Sequence, residues 1–320
     1  MIRLESNFDP IFVYVYLISK YGRALVNQRI TGTVPTSIDK ESVRGILIPI
    51  PSVAVTEHVK KLIGSHLNAV QTAYDLYQQS ENLLLEKLGL KDFQVEDNLS
   101  CVVRLSNVKS VSRIDAEYFQ LKFQNLIERV EKHNAKRLGD LISMEKGFEP
   151  GSEAYQEEGK LFIRVSSVSR FGIEDKDQKY LSEDLYKKLQ KDFEPKIGEI
   201  LLTKDATPGI AYVLKEPVEG IISGGILRLK VKDNIDPEYL ALCMSSIIGQ
   251  WQAERDAGGS IIAHWKPEQI RNILVPVLPK PIQEKIAELV RKSHEARKKS
   301  KGLLEEAKRK VEEMIEKGGE

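Results

Sequence analysis

The stretch Pro281–Glu320, PIQEKIAELVRKSHEARKKSKGLLEEAKRKVEEMIEKGGE, has the pattern of one long helix that pairs with another helix. Its apolar and small residues recur mostly at alternating steps of four and three, the spacing of a coiled-coil seam. These seam residues are Ile282, Ile286, Leu289, Ser293, Ala296, Ser300, Leu303, Ala307 and Val311. Charged residues fill the other faces, and Gly318-Gly319 ends the pattern. The small residues in mid-seam predict a close approach of two backbones.

The same design occurs 227 residues earlier in the chain, without a gap from about Asp9 to Leu90. Asp9-Pro10 aligns with Asp236-Pro237, and Gly22 aligns with Gly249. The earlier seam consists of Val55, Val59, Leu62, His66, Ala69, Ala73, Leu76, Ser80 and Leu84. Because proline, glycine and seam residues keep a single register, the sequence predicts an internal duplication and two long helices.

The bulk composition excludes some classes of protein. Charged residues make up 30% of the 320 residues, but the net charge is only +1, so no overall field favours nucleic acid or membrane. Cys101 and Cys243 fit no metal or redox spacing, which indicates reduced thiols in a cytoplasmic protein. The apolar run Phe12–Ile18 is too short to span a bilayer, and we interpret it as a buried helix.

The segment between the two long helices changes pattern along its length. Leu99–Arg104 predicts a strand, and Asp115 is expected to cap an amphipathic helix. From Arg137 onward, short β-like runs alternate with turns. The candidate strands are Leu138–Ser143, Leu161–Val168, Glu199–Thr203, Ala211–Leu214, Gly220–Ser223, Ile226–Val231 and Ile273–Val277. The predicted fold class is α+β, with a mixed β-rich domain and two long helices that form an antiparallel coiled coil.

Several short signatures follow one another in a fixed order. They are Arg113–Phe119 (RIDAEYF), Leu138–Leu141 (LGDL) with Lys146-Gly147, Phe162–Val168, Ile197–Thr203, Gly258–Ser260, Ile273–Pro276 and Pro281–Ile286. Together with the duplication, they resemble the specificity subunit of type I restriction-modification enzymes, the HsdS family. The resemblance covers essentially the whole chain. Each signature alone is weak, and the order carries the resemblance.

The resemblance implies a non-catalytic subunit that binds double-stranded DNA. In that family, two target recognition domains alternate with two long conserved helices. The implied parts are a remnant of a first recognition domain (1–51), spacer helix one (52–90), a linker and lead-in helix (91–136), a complete recognition domain (137–280) and spacer helix two (281–320). The subunit would recruit methyltransferase subunits and ATP-driven restriction subunits. S-adenosylmethionine and ATP belong to those partners, so no cofactor is expected here.

The missing front of the first domain predicts an exposed apolar surface. In residues 1–51 a helix and a strand, Ile46–Pro51, carry Phe12, Val15, Leu17, Ile46 and Ile48, which normally close a recognition domain. We expect a second copy of the chain, or a separately encoded N-terminal fragment, to cover them.

Candidate contact residues lie beside turns of the complete domain. Reading DNA requires cations for phosphates and donors or acceptors for base edges. The candidates are Lys146, Arg164, Ser167, Ser169, Arg170, Lys204, Thr207, His264 and Lys266. The alternative, that they are ordinary surface or loop residues, stays open at this point.

Spacer helix one carries a second apolar stripe that its seam does not require. The stripe is Ile63, Leu67, Val70, Tyr74 and Tyr77. Leu67, Tyr74 and Tyr77 either dock methyltransferase subunits or pack on the helix's own globular unit.

Two other classes of function compete with the DNA-binding interpretation. A coiled-coil assembly factor, whose globular unit binds protein, would have the same helices. A single-chain enzyme would require methylation or nuclease motifs, and the sequence has neither these nor the spacing of a phosphate-binding loop.

Overall fold

The computed structural model describes residues 8–32, 36–91, 93, 100–175, 178–232, 235–257 and 264–318. The chain divides into two compact units, which we call the terminal unit (residues 1–75 and 292–320) and the central unit (residues 76–291). None of the helices in these ranges combines the length and the apolar character that crossing a bilayer requires.

The first four helices lead from the terminal unit into the central unit. They are α1 (Pro10–Ile18), α2 (Lys20–Asn27), α3 (Lys40–Arg44) and the long α4 (Val53–Lys87). Helix α1 begins where it does because the Asp9 carboxylate accepts hydrogen bonds from the N–H groups of Ile11 and Phe12, and because Pro10 tolerates the first helical position.

The central unit mixes short helices and short strands. In chain order its elements are α5 (Leu105–Val111), α6 (Leu121–Glu131), β1 (Ala135–Arg137), α7 (Leu138–Leu141), β2 (Ile142–Lys146), β3 (Lys160–Ile163), β4 (Val168–Ser169), β5 (Gly172–Ile173), β6 (Lys179–Leu181), α8 (Glu183–Phe193), β7 (Ile200–Thr203), β8 (Ala211–Val213), β9 (Gly220–Ile222), β10 (Ile226–Val231), α9 (Pro237–Ser245), α10 (Ile247–Asp256), α11 (Pro267–Arg271) and β11 (Leu274–Pro276). The last helix, α12 (Lys280–Glu316), begins in this unit and ends in the terminal unit.

Four small sheets organise the central unit. The largest is antiparallel, with strand order β2-β10-β7-β8, and all four residues of β7 are buried. A three-stranded sheet has the order β6-β3-β9, in which β3 and β9 are parallel. Two strand pairs, β1-β11 and β4-β5, complete the set. The main core packs the largest sheet against α9, α10 and the first turns of α12.

Arg228 on β10 fastens α8 to the largest sheet. Its guanidinium is almost fully buried and donates to the carbonyl oxygens of Asp192 (2.7 Å) and Glu194 (2.5 Å), where α8 ends. It also pairs with the Glu145 carboxylate on the neighbouring strand β2. A planar group with five donors suits this position because it bonds several acceptors at once.

The four last helices repeat the four first ones. Helices α1 to α4 begin at Pro10, Lys20, Lys40 and Val53, and α9 to α12 begin 227 residues later, at Pro237, Ile247, Pro267 and Lys280. Asp236 caps α9 as Asp9 caps α1. A Cβ atom at Gly22 would lie 2.1 Å from the Tyr16 carbonyl oxygen, and one at Gly249 would lie 2.2 Å from that of Met244. Both copies therefore require glycine at the same helix crossing, and the predicted duplication is confirmed.

The long helices pair antiparallel along the predicted seam. In the terminal unit, the Ser293 hydroxyl donates to the Ala73 carbonyl oxygen (2.6 Å), and His66 Nδ1 donates to the Ser300 carbonyl oxygen (2.9 Å). Because the partner's number falls as the residue number rises, the pairing is antiparallel, as the sequence predicts. Small residues in mid-seam let side chains reach the opposite backbone. Val59, Ala307 and Val311 are fully buried further along the seam.

The predicted exposure of Phe12, Val15, Leu17, Ile46 and Ile48 is wrong. Phe12 and Val15 are fully buried, in one cluster with Val59 and Val311 of the paired long helices. Leu17, Ile46 and Ile48 pack against the same cluster. The long helices supply within the chain the apolar cover that we expected from another polypeptide.

Three local predictions in the terminal and linker segments are also wrong. Residues 46–51 form no strand, and neither do residues 100–104, where Val102 is fully exposed and pairs with no strand of the described residues. Asp115 does not cap an α-helix with its side chain, because its carboxylate accepts from the Arg113 guanidinium (2.5 and 2.8 Å). The predicted strand at Leu138–Ser143 begins as the single helical turn α7, and β2 follows it.

Candidate nucleic-acid interface

The loop from Lys204 to Gly209 leaves the buried strand β7 and is closed by Thr203. The Thr203 hydroxyl donates to the Thr207 carbonyl oxygen (2.5 Å) and accepts from the Ile210 N–H (3.0 Å). Ala206 (φ 57°) and Gly209 (φ 91°) adopt left-handed backbone conformations, which make the turn tight. This closure leaves Ala206 and Thr207 exposed at the tip of a rigid loop.

Asp205 is the centre of the loop and binds one group with each carboxylate oxygen. Lys204 Nζ donates to Oδ2 (2.5 Å), and His264 Nδ1 lies 2.9 Å from Oδ1. The backbone holds the same arrangement, because the Trp265 N–H donates to the Lys204 carbonyl oxygen (2.9 Å). Asp205 is not among the contact residues that the sequence predicts. The only signal in the sequence that could have identified Asp205 is its position between Lys204 and the Thr207-Pro208 turn.

Three further segments lie close to this loop. The Lys204 N–H donates to the Gly225 carbonyl oxygen (2.9 Å), and a Cβ atom at Gly225 would lie only 2.7 Å from Val165 Cγ2. A Cβ atom at Gly147 would lie 2.2 Å from the Ser223 carbonyl oxygen. The turn after β2, the turn before β10 and the segment after β3 therefore meet beside the Lys204–Gly209 loop. We call these segments, with residues 264–266, the loop face.

Five of the predicted contact residues lie on or beside the loop face. Thr207, His264 and Lys266 are exposed, and Arg164 is half-buried next to Val165. Lys146 is exposed but forms an ion pair with Glu149 (2.8 Å). The signature Gly258–Ser260, which precedes His264, lies outside the described residues.

Two predicted contact residues are buried and do not suit the role. Ser167 has no exposed surface, and it lies in a 3-10 turn beneath the face. Lys204 is 8% exposed, and its ammonium is held by Asp205. The sequence marked both as polar residues beside turns, but it contained no information on the direction of their side chains.

Ser169 and Arg170 belong to the turn between β4 and β5, which packs on helix α4. The Ser169 hydroxyl donates to the Gly172 carbonyl oxygen (3.1 Å) and so closes the turn. The Arg170 guanidinium lies 5.4 Å from the ring centre of Tyr77, and Phe171 packs on the edge of the same ring. Because this turn packs on the long helix α4, none of these contacts connects Ser169 or Arg170 to the loop face.

The three residues predicted to dock methyltransferase subunits also divide into buried and exposed ones. Tyr77 is buried in the core of the central unit, and burial raises the pKa of its phenol to about 12, against a smaller lowering by Arg170. Its packing on the globular unit matches the alternative that the sequence left open, and a docking role does not fit. Leu67 and Tyr74, in the terminal unit, are 57% and 54% exposed.

The described residues contain no group of three histidine, cysteine, aspartate or glutamate side chains that is arranged to hold a metal ion. The five predicted contact residues on or beside the loop face instead carry hydrogen-bonding and cationic groups: a hydroxyl, an imidazole, two ammonium groups and a guanidinium. These groups suit binding to phosphates and base edges.

The chain is similar to one protein family and to several solved structures. A family model described as "Type I restriction modification DNA specificity domain" matches residues 131–309. Among solved structures, the HsdS subunit from Thermoanaerobacter tengcongensis is 14% identical, with 98% of this chain and 70% of that chain covered and a TM-score of 0.37. The type I restriction-modification S subunit from M. genitalium is 15% identical, with 95% and 73% covered and a TM-score of 0.44. No curated protein matches the chain.

Proposed function

Since the matched region spans more than half of its length, the chain belongs to the family of type I restriction-modification DNA specificity domains, and we propose that it selects the DNA target for the enzymes of such a system. The observation that carries the proposal is the extent of the match, residues 131–309. It includes all of the described loop face and α12 as far as Arg309. In this role the chain is non-catalytic, and its partners supply the methylation and cleavage of a bipartite target.

The proposed organisation follows the duplication. Residues 137–280 form a recognition domain, and residues 1–51 correspond to the closing part of another one. Residues 52–90 and 281–320 are the spacer helices, joined to the recognition domain by the linker 91–136. The recurrence of four helices at an interval of 227 residues supports this division.

Within the recognition domain, the loop face is the DNA-binding surface. Lys266 supplies a phosphate contact, because it is exposed and no ion pair engages its ammonium among the described residues. Thr207, His264 and Arg164 contact base edges, a role that their position on or beside the loop face supports. Lys146 contributes after it leaves Glu149, an exchange that costs little because exposed pairs are worth about 0–1 kcal/mol.

Methyltransferase subunits bind the outer face of α4 in the terminal unit. From Leu62 to Tyr74 the helix carries no Asp, Glu, Lys or Arg, although such residues make up 30% of the chain. Gly64, Leu67, Asn68, Gln71 and Tyr74 are exposed on the face opposite the seam, and nothing lies within 4 Å of a Cβ atom placed at Gly64. An uncharged, partly apolar helix face with an open glycine suits the close approach of a partner helix. Restriction subunits join that complex, and all of these partners act on DNA in the cytoplasm.

A strand equivalent to β1 pairs with residues 46–51. In the central unit, β11 pairs with β1, and the counterpart of β11 in the first copy is Leu47–Pro49. No strand within the described residues pairs with that segment, and Leu47, Ile50 and Val53 are about four-fifths exposed. In a second copy of the chain, β1 is already paired, so an unpaired strand equivalent to β1, from another recognition domain, suits this edge better than a homodimer does.

Selection from a random DNA library with the purified chain tests the proposed function. We expect enrichment of one short motif, with loss of binding in the triple variant Thr207→Ala, His264→Ala and Lys266→Ala. The matched control, Thr72→Ala, His58→Ala and Lys61→Ala, removes the same three residue types from exposed positions on α4 and should bind normally. If the wild-type chain enriched no sequence yet bound protein partners, it would be an assembly factor instead.

A further inference from the structure

His264 is exposed at the loop face, but its ring is fixed on one side. About two-thirds of the side chain is accessible, while Nδ1 lies 2.9 Å from Asp205 Oδ1. Residues 205 and 264 also form an antiparallel backbone bridge, and the next residue, Trp265, is buried. One ring nitrogen therefore faces the protein, and the rest of the ring faces solvent.

The partner of Nδ1 determines which ring nitrogen carries the proton. A carboxylate oxygen only accepts hydrogen bonds, and Lys204 Nζ donates to the other oxygen of the same carboxylate at 2.5 Å. Nδ1 must therefore carry a hydrogen in order to bond Asp205. In the neutral ring the second nitrogen, Nε2, then has no hydrogen and presents a lone pair to solvent.

We infer that Asp205 is a positioning residue that fixes the tautomer of His264, so that the loop face presents an acceptor, Nε2, to an exocyclic amino group of adenine or cytosine in the major groove. This inference rests on the proposed function and adds the class of base that one named atom reads. In the major groove, adenine N6 and cytosine N4 are donors, whereas guanine O6 and thymine O4 are acceptors. A lone pair at Nε2 attracts the first two groups and repels the other two.

The same geometry separates the role of His264 from that of Lys266. An unprotonated nitrogen is a poor partner for a phosphate oxygen, because both atoms are acceptors. His264 therefore contributes to base preference and little to salt dependence, whereas the neighbouring Lys266 ammonium does the reverse. A purely structural role, in which His264 only ties two loops together, affects neither property once the fold is preserved.

Nitrogen-15 NMR of the full chain, labelled at histidine, tests the tautomer without DNA. The His264 signals are assigned by their loss in His264→Asn. At a pH where the ring is neutral, we expect the pattern of Nδ1–H with unprotonated Nε2 in the wild type. Asp205→Ala should shift the ring toward the Nε2–H tautomer, and Asp205→Glu should restore the original pattern. A wild-type ring that carries its proton on Nε2 would overturn the inference, as would a ring unaffected by Asp205→Ala.

Selection from a random DNA library then tests the reading role. The variant His264→Asn keeps a donor near Asp205 but has no atom at the place of Nε2, whereas His264→Gln extends an amide toward that place. We expect His264→Asn to lose about tenfold discrimination at one base pair of the motif, the pair whose amino group bonds Nε2, with the other positions and the binding of nonspecific DNA unchanged. His264→Gln should retain part of the preference, because its amide oxygen also accepts.

The control and the outcomes separate two failures. His58→Asn, on exposed surface of α4, should leave the motif unchanged, and thermal melting should show that all variants are folded. If the wild-type chain enriches no motif, the proposed function fails. If it enriches a motif that His264→Asn reads identically, this inference fails and the proposed function stands. The same holds if binding is unchanged when the amino group of the affected pair is removed, with purine in place of adenine or pyrimidin-2-one in place of cytosine.

Discussion

At the residue scale, Tyr77 shows how a polar side chain of the central unit takes part in packing. Its ring packs against Phe171 at 5.2 Å and under the Arg170 guanidinium at 5.4 Å. Burial, the largest effect, raises the pKa of its phenol to about 12, from 10.0 for the free group. The folded state therefore keeps a proton that the unfolded state loses above pH 10.

This shift predicts the alkaline behaviour of the protein. A group whose folded pKa is raised contributes stability below its unfolded pKa, and that contribution is lost as pH rises toward the folded value. The free energy of unfolding should thus fall between pH 10 and pH 12, with about 2–3 kcal/mol of the loss due to Tyr77. Urea unfolding at several pH values checks this. Tyr77→Phe should show a shallower fall, and Tyr14→Phe, on an exposed face of α1, should follow the wild type. Equal slopes in all three proteins would contradict the assignment.

The residues of the loop face show which structural properties cannot be predicted from local sequence. Lys204 and Lys266 have the same side chain and both stand beside turns. In the structure, the Lys204 ammonium is bound to Asp205 within the loop, while that of Lys266 extends into solvent. Only the fold brings Asp205 beside His264, 59 positions away. Side-chain direction and long-range pairing decide function here, and neither is encoded in local pattern.

At the scale of elements, the sequence predicted the long helices well because their signals are local and repeated. Caps, prolines and seam residues recur in one register, so the prediction of each long helix rests on two copies of the same pattern. The failed strands, residues 46–51 and 100–104, are rich in apolar residues, but within the described part of the chain no neighbouring strand completes a ladder with them. Strand formation requires a partner that local sequence does not reveal, whereas helix hydrogen bonds close within the segment.

Glycines in the duplicated helices allow an element-scale prediction with opposite signs. Gly302 lies inside α12, and nothing lies within 4 Å of a Cβ atom placed there. Gly302→Ala should therefore stabilise the protein by about 1 kcal/mol, because alanine favours the helical backbone. At Gly22 a Cβ atom would collide with the backbone of Tyr16 and Leu17, at 2.1 and 2.6 Å. Gly22→Ala should destabilise by about 1–3 kcal/mol.

Chemical unfolding of both alanine variants measures the difference. Gly64→Ala is the matched control for Gly302→Ala, since it also adds a methyl group at an open position inside a long helix. It should stabilise the free protein to a similar extent. If Gly22→Ala left the unfolding midpoint unchanged, the close crossing of α1 and α2 would not exist as described.

At the scale of the whole molecule, positive and negative charges nearly balance, so a local group of cations must attract the DNA. The chain has 48 basic and 47 acidic residues, with a net charge of +1. The summed field therefore contributes little attraction to DNA, and proteins with few phosphate contacts show a weak dependence on salt. The exposed cations of the loop face have to supply the electrostatic part of binding.

This distribution predicts a small and separable salt dependence. Each phosphate contact changes the slope of log K against log salt concentration by about 0.9, because it releases condensed counterions. Lys266→Ala should reduce the magnitude of the slope by about that amount and weaken binding to all sequences alike. Lys204→Ala should leave the slope nearly unchanged, because the buried Lys204 ammonium is already neutralised by Asp205.

Lys61→Ala, which removes an exposed lysine from α4 in the terminal unit, controls for the loss of one charge. Titrations of duplex DNA at several salt concentrations measure all four proteins. Equal reductions in Lys266→Ala and Lys61→Ala would mean that total charge drives binding, and the loop face would lose its role as the source of phosphate contacts.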